Sequence, residues 1–120
     1  MSLRTIRLEL ARSHEFPAGS SRHGYEFRAP LDADGKIDAE AWKRHRNDCT
    51  VRRFWDGAED ESGLLVHTRG RKWVFSYVPD ETSDDEPIFK FDGHIFRPGE
   101  YVSITEHDGV QRPFRVASVR

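Results

Sequence analysis

Apolar and polar positions alternate near the start of the chain, where Ile6, Leu8 and Leu10 are separated by Arg7 and Glu9. Successive strand side chains point to opposite faces, so this period of two predicts a strand over residues 3–11 with one buried face. Residues 51–55, 64–68 and 73–78 are also strand-like, and Trp73, Phe75 and Tyr77 share a face. Thr68-Arg-Gly-Arg-Lys72 joins the last two as a tight hairpin connection. From residue 88 to 120, three short apolar runs are punctuated by Phe91-Asp-Gly-His, Arg97-Pro-Gly-Glu and His107-Asp-Gly-Val. Gly accepts positive φ and Pro fixes its own, so these read as the turns of a small antiparallel β-domain. Phe89 and Phe91 share one face, and Val102 and Ile104 another. Phe114 and Val116 agree in phase while Val119 does not, which predicts a bulge or a two-faced strand in the closing strand at 114–119.

Periodicity disappears over residues 13–35, a stretch too rich in Gly and Pro for an uninterrupted helix. So long an irregular segment is uncommon in a compact domain, so a short strand is expected at 25–28, with Phe16, Tyr25 and Phe27 packing down on the rest. Asp38 followed by Ala39, Glu40, Ala41 and Trp42 has the form of an N-capped helix. Lys43, Arg44, His45 and Arg46 then suit its C-terminal end, giving one helix near 38–47. Residues 80–86 hold five acids in seven positions and read as a solvated loop. The predicted fold class is mainly β: a small antiparallel barrel or strongly bent sheet of six to seven strands with one short α-helix, in a single domain spanning 1–120.

Composition sharpens this picture. Only 36% of the 120 residues are apolar, but eight Phe, three Tyr and three Trp each bury a large area, so the core is expected to be thin and aromatic. The balance of 19 basic against 21 acidic residues, a net charge of -2, lacks the basic excess usual in nucleic-acid domains. A single Cys49 cannot form an internal disulfide, and no apolar run approaches the ~20 residues of a membrane span. The alternating N-terminus lacks the continuous apolar segment of a secretory signal, which makes the cytoplasm the expected compartment.

Candidate chemistry is sparse. The six histidines, His14, His23, His45, His67, His94 and His107, include no pair at close helical spacing. A zinc site would have to be assembled by folding, for instance from His14 or His23 with His94 and an acid; structural or surface roles are the expectation. Cys49 follows a basic helix end and reads as a small buried hydrophobe rather than a nucleophile. Acids at 59–61 and 84–86 read as wet loop faces. No GxGxxG, P-loop or GxSxG pattern is present, so Ser20 and Ser21 read as loop hydroxyls. Two basic clusters, Lys43 to Arg46 with Arg52 and Arg53, and Arg69 to Lys72 beside Trp73, supply cations and rings of the kind that hold single strands.

The loop Arg22-His23-Gly24-Tyr25-Glu26-Phe27 concentrates a cation, an imidazole, a phenol and a carboxylate, and binding residues favour such connections. Arg22, His23, Tyr25 and His94 are therefore the expected ligand-binding residues, with no catalytic residue, metal or cofactor. The expected function is a small soluble non-catalytic binding or protein-interaction module whose partner is another protein or a small anionic ligand. The alternatives are a small metal-assisted enzyme and, less favoured by the charge balance, a single-stranded nucleic-acid-binding domain; no membrane partner is expected.

At Arg22-His-Gly-Tyr-Glu-Phe-Arg-Ala-Pro-Leu, Cys49-Thr-Val-Arg-Arg-Phe-Trp and His94-Ile-Phe-Arg-Pro-Gly-Glu-Tyr-Val-Ser-Ile, the chain resembles a group of short bacterial proteins. That group has no established activity, so the resemblance implies a bacterial, stand-alone domain and transfers no catalytic residue. Pro98-Gly-Glu-Tyr-Val-Ser-Ile also resembles a strand of the ferredoxin-reductase flavin barrels. The Arg-x-Tyr-Ser flavin motif of those barrels is missing, so only the turn-to-strand reading carries over.

Overall fold

A computed structural model describes residues 3–68, 72–77, 86–87 and 94–120. Its strands are β1 (Leu3–Leu10), β2 (Ser20–Pro30), β3 (Thr50–Trp55), β4 (Glu61–His67), β5 (Trp73–Ser76), a two-residue rung β6 (Glu86–Pro87), β7 (Tyr101–Thr105) and β8 (Gln111–Val119). They form one antiparallel sheet in the order β6-β5-β4-β3-β2-β1-β8-β7. Each strand thus lies beside its neighbour in sequence, and β8 returns to β1, which curls the sheet into a half-barrel. Among the described residues, the seam between β6 and β7 is the one sequential junction without strand pairing.

The inward phase of each strand fills the curl. Ile6 and Leu8 of β1, Tyr25 and Phe27 of β2, Phe75 of β5, Ile104 of β7, and Phe114 and Val116 of β8 have no exposed surface. Their rings form a continuous core: Tyr25 lies 5.0 Å from Phe75 and 5.2 Å from Phe114, and Phe27 lies 5.2 Å from Phe75 and 5.5 Å from Phe96. Offset and edge contacts of this kind add to the area that each ring buries. The expected acidic loop at 80–86 and the Phe89–Phe91 face fall outside the described side chains, as do Arg69 to Arg71 of the predicted hairpin.

One helix, α1 (Ala39–Arg44), follows β2 and closes one end of the half-barrel. Asp38 caps it, its carboxylate accepting from the Ala41 amide at 3.0 Å, and a 3-10 turn at Arg46–Asp48 follows. The helix is shorter than the pattern predicts because the last basic residues tighten into that turn. Trp42 donates its indole N–H to the Leu65 carbonyl at 2.9 Å and stands edge-on to Trp73 at 5.3 Å. The closing strand carries the expected irregularity: Arg7 pairs with Ser118 but Leu8 with Val116, so one β8 residue is passed over.

The irregular stretch contains much more strand than the expected 25–28, since β2 has 11 residues. Its periodicity is hidden by a wide bulge. Glu9 pairs with Gly24 and Leu10 with Ser20, leaving Ser21, Arg22 and His23 without partners on β1. Gly24 is required at the edge of this bulge, because a Cβ there would collide with the Leu8 carbonyl and sit 3.1 Å from the Phe54 ring. Gly19, at φ +72, turns the chain into the bulge.

Candidate functional site

The end of the half-barrel opposite α1 is a mouth built from the inward phases of β2, β3 and β8, from Glu106 just after β7, and from the loop between β1 and β2. Three charged groups occupy positions that the phase reserves for apolar residues: Arg53 follows Val51, Glu106 follows Ile104, and Arg112 precedes Phe114. All three are buried. Glu106 Oε2 accepts from the Tyr25 hydroxyl at 2.6 Å and from Arg53 at 2.9 and 3.1 Å, and Oε1 accepts from Arg112 at 2.8 Å. Arg112 also forks onto Glu15 at 3.0 and 3.3 Å and onto Asp108 at 3.0 and 3.1 Å. Trp55 forms one wall, with the Arg53 guanidinium 4.2 Å over its ring and His23 edge-on at 4.5 Å.

The electrostatics of the mouth are those of a saturated network. Burial works against the charge on Arg53 and Arg112, but the Tyr25 and Glu106 partners of the first, and Glu15, Asp108 and Glu106 around the second, more than offset it, so both guanidiniums hold their protons more firmly than usual. Burial alone would raise the Asp108 carboxyl; the Val110 amide and Arg112 reverse this and hold it below its ordinary value. Glu15, Glu106 and Asp108 outnumber the two arginines, so the network has no spare cation for an anionic ligand. It fixes the strand ends and the β7–β8 turn against the β1–β2 loop.

The four residues singled out from the sequence go to three places. Tyr25 lies in the core and holds Glu106. His23, 8% exposed, is wedged between Phe16 at 4.6 Å and Trp55, with Nδ1 2.7 Å from the Ser20 hydroxyl. Burial lowers its pKa, and of its charged neighbours Asp56 and Glu106 oppose that effect while Arg53 adds to it. His94 packs edge-on against Phe96 at 4.7 Å, toward the Phe27 half of the core; its buried Nε2 has no hydrogen-bond partner among the described residues, and burial lowers its pKa against the pull of Glu100. Arg22, with its side chain 77% exposed, projects from the bulge to the outside of the sheet. Among the described residues no three His, Cys, Asp or Glu side chains gather as a metal site.

Arg22 lines a shallow groove on the outer face that runs across β2, β1, β8 and β7. Arg12, just beyond β1, and Arg115 of β8 line the same groove, with Ser20, Ser21 and Tyr101. Arg12 and Arg115 are exposed and have no ion-pair partner among the described residues. Among the described residues the Arg22 guanidinium pairs with Asp56, at 3.8 Å, and both side chains are largely in solvent. Glu9, the one carboxylate among the described residues that line the groove, accepts from Arg7 at 2.8 Å, and Arg7 also donates to the Ser21 carbonyl at 3.0 Å, tying the bulge to β1. Arg115 and Tyr101 on outward strand phases, and Arg12 in the bend after β1, are not distinguished in the sequence from any other exposed charge or ring.

No protein-family model, curated protein or solved structure matches this chain. Among the described residues no helix is long and apolar enough to cross a membrane.

Proposed function

We propose that this chain is a small non-catalytic binding module and that its ligand is a small anion taken up in the outer groove. The supporting observation is that Arg12, Arg22 and Arg115 line one concave surface, with Arg12 and Arg115 in no ion pair among the described residues. Guanidinium groups offer forked donors that match phosphate and carboxylate oxygens, and a group not already committed to a carboxylate gives up little when an anion arrives. The bulge contributes the setting: Gly19 turns the chain, Ser20 accepts from the Arg22 amide at 3.1 Å, and Arg7 anchors Ser21. The mouth is the scaffold of this site, because Glu15 and Phe16, which it anchors, lie in the segment between Arg12 and Ser20.

Calorimetric titration with inorganic pyrophosphate tests the reading. Binding is expected to weaken with added salt, and the double substitution Arg12→Gln with Arg115→Gln is expected to lower affinity by at least about tenfold, the equivalent of ~1.4 kcal/mol. Lys43→Gln with Arg44→Gln, on the far helix, should leave it unchanged. Equal loss from both pairs, or none from the first, would remove the groove as the site.

A further inference from the structure

The groove holds one group that an inorganic anion does not use. Tyr101 is 60% exposed, the most exposed large hydrophobic residue among those described, although it lies in a regular strand. Its cross-strand partner in the β7–β8 ladder is Arg115, and Arg115 is in turn the partner of Glu9 on β1. Alternation along each strand then puts the Tyr101 ring and the Arg115 guanidinium side by side on the outer face. Arg12 and Arg22 lie beyond, on the far side of β8. Adjacent strands are about 4.8 Å apart, so across the sheet the ring and the three cations span one to three such steps, about 5 to 14 Å, and Arg12 lies a further three residues along from Glu9, about 10 Å in the strand direction.

Resting on the reading above, we infer that the ligand is a free nucleoside phosphate, its base lying on Tyr101 and its phosphate among Arg115, Arg12 and Arg22. An exposed ring beside cations is the pairing that nucleotides require, since every base has a π-face and every phosphate takes forked donors. A single ring serves a single base. The groove has no second exposed aromatic residue among those described to continue a stacking track, and the net charge of -2 disfavours a long polyanion. Ser21, exposed on the groove wall, offers a hydroxyl to the sugar or the phosphate, while the Ser20 hydroxyl is held by His23 Nδ1 and the Arg22 amide.

Parallel titrations of the full chain with adenosine monophosphate and with ribose 5-phosphate test this, since the two share a phosphate and differ in the base. The monophosphate is expected to bind about tenfold more tightly, the usual worth of one stacked base. Tyr101→Ala should erase that difference while leaving ribose 5-phosphate affinity unchanged, and Tyr101→Phe should retain it. The ring is exposed, so neither variant threatens the core. If both compounds bind equally, the anion site stands and the nucleotide assignment falls. If neither binds, both fall. If a single-stranded oligonucleotide binds more than about tenfold more tightly than the mononucleotide, with a steep salt dependence, the ligand is a polymer and the assignment to a free nucleotide is overturned.

Discussion

Replacing Glu106 by Gln probes the scaffold at its most committed point. The substitution keeps the shape but removes the one charge shared by Tyr25, Arg53 and Arg112, and the side chain is 1% exposed. Removing one partner of a buried ion pair costs ~3–5 kcal/mol, because the charge left behind remains desolvated. Arg112 retains Glu15 and Asp108, and Arg53 retains Glu61 at 3.7 Å, so the lower end applies, about 3 kcal/mol. With an unfolding entropy of ~2.1 cal/mol/K per residue over 120 residues, that loss lowers Tm by about 12 °C. Circular dichroism melts and urea titrations at neutral pH would measure it, with an unchanged m-value showing that the native state is otherwise intact. Glu15→Gln is the comparison: its side chain is 53% exposed, so its ion pair with Arg112 is worth less than about 1 kcal/mol. Tyr25→Phe removes the hydrogen bond to the Glu106 carboxylate and the hydroxyl's interaction with Arg53, at least about 1.5 kcal/mol, and together with Glu106→Gln should cost less than the sum of the two. A Glu106→Gln loss no larger than that of Glu15→Gln would refute the idea that the buried carboxylate organises the mouth.

Three further outcomes follow from the same structure. His23 and His94 are held below the ordinary 6.5, chiefly by burial, so the unfolded chain takes up protons first as pH falls; their stabilising effect is complete above that value and is lost as pH falls through the folded pKa values. His23→Gln with His94→Gln should flatten the stability profile below pH 6.5, and an unchanged slope in denaturant melts would contradict this. Gly24→Ala should cost about 2 kcal/mol in urea titrations, since backbone rather than a movable side chain blocks its methyl group, and a neutral result would show that the β1–β2 bulge relaxes freely. Burial, with Asp48 beside it and Arg28 opposing, pushes the Cys49 thiol up to about 11, so mild iodoacetamide treatment near neutral pH should modify it only after unfolding, as mass spectrometry would show.

The fold was legible wherever one face of an element is apolar. Ile6, Leu8 and Leu10 announce β1, Asp38 announces α1, and the phase break between Val116 and Val119 announces the bulge in β8. The first half of β2 was not legible, because Ser21, Arg22 and His23 leave the β1 ladder and Gly24 answers to the Leu8 carbonyl, which is remote in sequence. The mouth is a long-range object: Arg112 and Glu15 are 97 residues apart. It did leave a trace, since Arg53, Glu106 and Arg112 each occupy an inward phase beside Val51, Ile104 and Phe114. A charge in an apolar phase, repeated on neighbouring strands of opposite sign, marks a buried network. The groove left a weaker trace. Of the four residues chosen from the sequence only Arg22 lines it, because spacing along a loop does not report which face a bulge presents.

The most direct measurement is an amide chemical-shift map of the isotopically labelled protein titrated with inorganic pyrophosphate at low salt. The resonances expected to move belong to Arg12, to Gly19 through Arg22, and to Tyr101 and Arg115, with α1 and the Glu106 mouth still. Shifts centred on Lys43 to Asp48, or on the mouth with the groove unmoved, would contradict this.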